Sequence, residues 1–261
     1  MELPWLSLFW HAGLVVLGYM TLVWIVSVIK VDTSIVDIFW GLGFVVLAVF
    51  YFWQTDGAVT RSTLIATLVV IWGLRLSIYI AVRNHGTGED PRYAKWREQA
   101  GKSWWLRSFF TVFLLQGALM WIISLPLLTA QYYNRPEHIT ALDIIGVVLW
   151  LAGFLFEAVG DWQLYRFKQD PANKGKVFDQ GLWRYTRHPN YFGEFLIWWG
   201  YFAISVAAGP VYVAISPILM SVLVMKVSGV TLLENSLSDS KSGYREYQRR
   251  TNAFFPWAPR S

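Results

Sequence analysis

The fold class this sequence predicts is an all-α integral membrane protein with about seven transmembrane helices, N-terminus outside and C-terminus cytoplasmic. Three observations carry it. Of 261 residues, 55% are hydrophobic and only 15% charged, where a soluble domain carries about 25% charged residues. The apolar residues gather in runs close to the roughly 20 residues that a helix rising 1.5 Å per residue needs to cross a bilayer. The Lys and Arg residues fall almost wholly in alternate connecting segments, which is the positive-inside pattern.

The apolar runs cover residues 5–29, 35–53, 62–82, 108–130, 142–162, 191–208 and 211–227. Unpaired backbone groups are too costly in lipid, so each run reads as a helix. The first is not preceded by a basic n-region and reads as a retained helix, not a cleaved signal. The first five have full spanning length. The last two are shorter and meet at Ala208-Gly209-Pro210, a tight turn. Sixteen Trp, thirteen Tyr and seventeen Phe supply the aromatic belts of a membrane interface. Residues 83–107, with Tyr93, Trp96, Trp104 and Trp105 among basic residues, read as a helix lying at that interface. The chain reads as a single transmembrane domain over 1–261, with 1–140 as its substrate side and 141–261 carrying a cofactor loop.

With the N-terminus outside, the inside segments hold nineteen Lys and Arg, the outside loops hold Arg61 and Arg135, and Arg75 lies within the third helix. Because the basic residues sit between apolar runs, the net charge of +5 marks orientation and not nucleic acid. The absence of Cys excludes disulfides and thiolate metal sites. Nothing in the sequence implies a metal or an obligate protein partner.

Ionisable groups inside apolar helices cost about 3 kcal/mol each on insertion scales and mark candidate functional positions. Asp37 stands near the start of the second helix. Arg75 and Tyr79, four apart on the third, share a face, as do Glu157 and Asp161 on the fifth. Glu194 lies one turn into the sixth. Mutual pairing, Arg75 with Asp37 for instance, is the structural alternative. His11 reads as an ordinary polar inclusion, and Asp143, near the outer end of its helix, as solvated.

The segment 173–194 is basic and leads into the sixth helix, whose first turn suits Pro189. Arg184, Arg187 and His188 therefore gather at a helix N-terminus, where free N–H groups and the dipole favour an anion. Arg166, Lys168, Lys174 and Lys176 add charge nearby. A phosphate-bearing ligand and an anionic lipid headgroup both satisfy such a loop.

The stretch Gly181 to Glu194, with Arg187-His188-Pro189-Asn190-Tyr191 at its centre, resembles the signature of bacterial members of the steroid 5-alpha-reductase superfamily. Related segments occur in sterol C14 reductases and isoprenylcysteine carboxyl methyltransferases. The resemblance is close over residues 157–257 and weaker through Asp37-Ile38-Phe39-Trp40-Gly41 and Trp72 to Tyr79. It implies NADPH contacts from Asp161, Lys168, Arg184, Arg187, His188, Asn190, Tyr191 and Glu194, with Glu234 and Tyr247 contributed by the C-terminal region. It also implies a catalytic Tyr79, while the superfamily's helix-2 Glu has no match and Asp37 is the nearest carboxylate.

The expected reaction is NADPH-dependent reduction of a carbon–carbon double bond conjugated to a carbonyl. The substrate is a lipophilic, steroid-like or isoprenoid-like enone drawn from the bilayer, in a lipid metabolism of the bacterial inner membrane. Tyr79, supported by Asp37 and Arg75, is the expected donor to the developing enolate oxygen. An S-adenosylmethionine-dependent methyltransferase of a lipid or isoprenylcysteine, and a non-catalytic protein binding anionic membrane lipids, are the alternatives.

Overall fold

The computed structural model describes residues 4–227, 230, 234 and 243–260. Its elements are α1 (Trp5–Lys30), α2 (Ile35–Gln54), α3 (Val59–Asn84), α4 (Pro91–Ala100), α5 (Trp104–Ser108), α6 (Leu115–Ile123), α7 (Leu125–Tyr132), α8 (Ala141–Gln169), α9 (Pro189–Val206), α10 (Ile215–Val222) and α11 (Tyr244–Arg250). A wider π-helical turn, Phe109–Leu114, joins α5 to α6, and another, Leu223–Val227, follows α10. Pro91–Tyr132 forms one long, interrupted helical stretch. Among the described residues it is one of five stretches long and apolar enough to cross a membrane, with α1, α2, α3 and α8. This is the make-up of a multi-pass integral membrane protein.

Exposure supports that reading. On α1, Leu14, Leu22 and Ile29 are exposed, and on α8 Ile144, Val148 and Leu155. Large apolar side chains lying along one helix face and turned outward need an apolar surrounding.

The chain divides into two compact units. One comprises the chain through Thr140 together with Ser205–Val213; the other comprises Ala141–Ile204 and the chain from Ala214 on. The first unit is packed around Phe44, Leu47, Tyr51, Ile65, Trp72, Phe113 and Met120, all inaccessible to solvent. Its α2 and α3 approach so closely that a Cβ at Gly41 would stand 2.6 Å from the carbonyl oxygen of Gly73. Small residues let helix backbones meet where no hydrophobic force drives them together. In the second unit the same device recurs along α8 and α9. Gly153 faces Gly193 and Gly146 faces Gly200, and a Cβ at Gly153 would stand 2.6 Å from the Gly193 carbonyl oxygen.

Helix ends follow local chemistry. Asp90 caps α4 by accepting from the Arg92 N–H at 2.9 Å, and Pro91 occupies the first helical position. α1 stops where Val31 takes a left-handed conformation (φ 55°) and the Asp32 N–H turns back to the Ser27 carbonyl.

Two expectations fail here. Arg61, expected in an outside loop, lies in the first turns of α3 and is buried. Its guanidinium donates to the carbonyls of Pro136 (2.9 Å) and His138 (3.3 Å), which replace water as its partners. Asp143, expected to be solvated, is wholly buried in the first turn of α8. A carboxylate there lies close to the positive end of the helix dipole. α3 also begins three residues before the apolar run that marks it, because polar Arg61 and Thr60 are carried inside the helix. His11 is exposed, its Nδ1 2.7 Å from the Ser7 carbonyl oxygen one turn earlier.

Candidate functional site

In the second unit, the segment after α8 folds back through two short 3-10 turns, Pro171–Asn173 and Gly181–Arg184, before α9 begins at Pro189. Gln163 on α8 accepts from the Leu182 N–H at 3.0 Å, and the Trp183 indole donates to the Gly160 carbonyl at 3.0 Å. These two contacts pin the loop against α8. The C-terminal segment then lies along it. The Arg187 N–H donates to the Asn252 carbonyl, the Thr186 hydroxyl to that of Phe254, and the Trp257 N–H to that of Tyr185. The Tyr247 hydroxyl donates to the Trp183 carbonyl.

Glu234 is the centre of this arrangement. Arg187 grips it with two parallel hydrogen bonds, Nε to Oε1 and Nη2 to Oε2, both 2.8 Å. His188 Nε2 lies 2.9 Å from Oε1, the Tyr244 hydroxyl donates to Oε1 at 2.9 Å, and Gln248 donates to Oε2 at 2.6 Å. The remaining Arg187 nitrogen donates to the carbonyls of Gln248 and Thr251. The Arg187 and Glu234 side chains are only 10% and 13% exposed. Burial pushes the Glu234 carboxyl up, but the hydrogen bonds from His188, Arg187 and Gln248 outweigh it and hold the group well below the usual carboxylate range. Burial and the neighbouring Glu234 charge push the Tyr244 hydroxyl up, so it stays a donor.

Arg187 thus spends its donors within the protein. The expectation of a phosphate grip passes to its neighbours. Arg184, Arg250 and Arg260 line an open cleft of about 570 Å³ together with Asp179, Gly181 and Thr251. Arg250 pairs with Asp179 at 3.2 Å, and Arg260 donates to the Asn252 side chain at 3.3 Å. The Arg184 guanidinium makes no ion pair among the described residues, while its carbonyl accepts from the Thr251 hydroxyl. Three guanidinium groups against one carboxylate leave the cleft strongly cationic.

The other expected cofactor residues spread along the same unit. Asp161 is buried on α8 and accepts from the Asn190 side chain at 3.1 Å, so these two meet. Tyr191 stacks on the His188 ring, with centroids 5.6 Å apart. Glu194 accepts from the Trp198 indole at 3.1 Å. Arg166, Lys168 and Lys174 are exposed and are not among the cleft's walls.

In the first unit, Asp37 accepts from the Tyr93 hydroxyl at 3.1 Å and stands 3.5 Å from an Arg92 nitrogen. Gln116 donates to the same Tyr93 oxygen at 3.4 Å. Arg75 and Tyr79 are half-buried on α3, where Arg83 lies over the Tyr79 ring at 5.7 Å. Sequence reasoning missed Tyr93 and Arg92 as partners of Asp37, and Arg250 and Arg260 as walls of the cleft. The charge run at 245–250 was the available signal, and it reads equally as an orientation signal.

The chain belongs to the family described as "Protein of unknown function (DUF1295)", whose model matches residues 23–251. It is similar to an uncharacterized protein of Schizosaccharomyces pombe, with 28% identity over 260 residues, covering 89% of this chain and 75% of the relative. No solved structure matches.

Proposed function

We propose that the chain is a membrane-embedded, NADPH-dependent reductase of a conjugated carbon–carbon double bond in a lipophilic enone. In this reading it resembles bacterial members of the steroid 5-alpha-reductase superfamily. It crosses the bacterial inner membrane seven times, with α9 and the 211–227 segment as the last two spans and the C-terminus in the cytoplasm. The nineteen-to-two division of Lys and Arg between the inner and outer sides, with Arg61 and Arg135 the outer two, supports that orientation.

The cationic cleft carries the proposal. Its volume of about 570 Å³ lies within the range of small-molecule sites, about 300–1,000 Å³. Arginine forks match phosphate oxygens in pairs, and Arg184, Arg250 and Arg260 all line the cleft against the single carboxylate of Asp179. S-adenosylmethionine has no phosphate and makes poorer use of that charge. When bound, NADPH would supply a hydride; the protein supplies position and charge. Arg184 holds phosphate. The Arg187–Glu234 grip fixes the C-terminal segment from which Arg250 and Arg260 project. Tyr79 is assigned the proton-donating hydroxyl, and Arg75 and Asp37 belong to the same unit, Asp37 held in place by Arg92 and Tyr93.

Titration of purified protein with NADPH, followed by nucleotide fluorescence, tests the assignment. Arg184→Ala is expected to weaken binding by about tenfold, or 1.4 kcal/mol, and Tyr79→Phe to abolish reduction while leaving binding intact. Equal affinity for S-adenosylmethionine, or unchanged NADPH affinity in Arg184→Ala, overturns it.

A further inference from the structure

A second cleft lies in the first unit, where α4 and α5 meet the π-helical turn. It has a volume of about 320 Å³ and is lined by Trp96, Gln99, Ala100, Trp104, Arg107 and Thr111. We propose that this cleft binds the phosphate headgroup of an anionic phospholipid from the surrounding bilayer.

Its walls are built for that ligand. The Trp104 indole is buried and fixed by donating to the Thr33 hydroxyl at 3.0 Å. Trp96 and Trp105 are about half exposed, at 47% and 53%. Amphipathic indoles in that state settle at the headgroup level of a membrane. Immediately beyond, Leu106, Phe110 and Leu114 are exposed and offer an apolar face to acyl chains. The cleft therefore sits where an aromatic, basic surface gives way to an apolar one.

Charge selects the headgroup. The nearby arginines are already neutralised: Arg92 by Asp90 and Asp37, and Arg97 by Glu89 at 2.8 Å. Arg107 makes no ion pair among the described residues, and Lys102 lies five positions before it, also exposed. The Arg107 carbonyl is occupied, accepting from the Thr111 hydroxyl at 2.8 Å across the wide turn. Its guanidinium is left to face a phosphate. π-helical turns concentrate at functional sites, and here the turn carries Thr111 to the rim of the cleft. A zwitterionic lipid brings a second cation toward Arg107 and Lys102; phosphatidylglycerol does not.

Native mass spectrometry of the full chain, released from nanodiscs of equal phosphatidylglycerol and phosphatidylcholine, reads the retained lipid directly. Wild type should retain phosphatidylglycerol over phosphatidylcholine by about fivefold, the preference one basic contact gives. Arg107→Ala should remove that preference, Arg107→Lys should keep most of it, and Arg249→Ala, a basic residue elsewhere, should leave it intact. Arg107 is exposed, so its substitution leaves the fold in place, and a thermal melt confirms this for each variant. Unchanged retention in Arg107→Ala, an equal loss in Arg249→Ala, or displacement of the lipid by millimolar inorganic phosphate overturns the proposal.

Discussion

Two arginine-rich regions of this protein treat their charge in opposite ways. At the junction of α3 and α4, Arg92 and Arg97 are matched by Asp37, Asp90 and Glu89; Glu89 also accepts from the Thr33 N–H just before α2, and Asp90 from the Arg92 N–H at the start of α4. In the loop before α9 and the C-terminal region that packs on it, Arg187 is matched by Glu234, but Arg184, Arg250 and Arg260 share Asp179 alone among the carboxylates lining their cleft. The difference separates architecture from recognition. A cation with a carboxylate and backbone carbonyls around it is holding the chain together. A cation in surplus on an open wall has its binding capacity left over for a ligand.

The sharpest way to break that division is at Glu234. Glu234→Ala leaves Arg187 nearly buried with only two carbonyl acceptors, and stranding one partner of a buried pair costs about 3–5 kcal/mol. Thermal unfolding and proteolysis of the segment after α11 should both report it. The effect has a defined pH dependence. The folded-state carboxyl is depressed, so its contribution is complete above the ordinary Glu value of about 4.3 and is lost as pH falls through the folded value. The stability gap between wild type and Glu234→Gln should be full at pH 7 and shrink below about pH 4. A gap independent of pH breaks the assignment.

The corresponding change in the first unit is smaller. Glu89 accepts twice from Arg97 and once from the Thr33 N–H. Burial raises its carboxyl, and the Arg97 and Thr33 hydrogen bonds more than reverse this. Arg97 is more exposed than Arg187, so water replaces part of what is lost. Glu89→Ala should cost about 1–3 kcal/mol, the penalty of an unsatisfied hydrogen-bonding group, measured by the same melt. A loss equal to that of Glu234→Ala would place both regions in one energetic class.

The helices were legible because helix formation in an apolar run is a property of local composition. Each run became helical, five of them within stretches long and apolar enough to cross a membrane among the described residues, although α8 extends seven residues past its run and the fourth run lies inside the longer stretch Pro91–Tyr132. Arg61 and Asp143 were misread because burial is decided by distant chain. The carbonyls that hold Arg61 come from Pro136 and His138, some 75 and 77 positions away. The basic stretch 184–188 was visible as a local charge cluster, but the division of labour within it was not. Arg187 is turned inward by Glu234, Gln248 and Thr251, and Arg184 is left outward, although both are arginines three positions apart. Periodicity carries no information about which of two neighbouring cations meets its carboxylate.

That distinction yields the next test. Arg184→Ala should lower NADPH affinity about tenfold while moving the melting temperature by less than Glu234→Ala does, because no folded-state ion pair among the described residues is lost. If stability falls and affinity holds, Arg184 belongs with the architectural cations and the comparison collapses.

The smallest expected effect guards against a trivial explanation. Arg249 lies one residue from Arg250 but is exposed, pairing loosely with Glu246 at 3.9 Å one turn away. Such pairs contribute about 0–0.5 kcal/mol, and exposed charges farther than about 8 Å from a ligand are largely screened at physiological salt. Arg249→Ala should therefore change NADPH affinity by less than about twofold and stability by less than about 0.5 kcal/mol. If it weakens binding as much as Arg184→Ala does, the nucleotide is held by the summed field of the region and not by the walls of the cleft. The surplus charge would then be an attractor without a site.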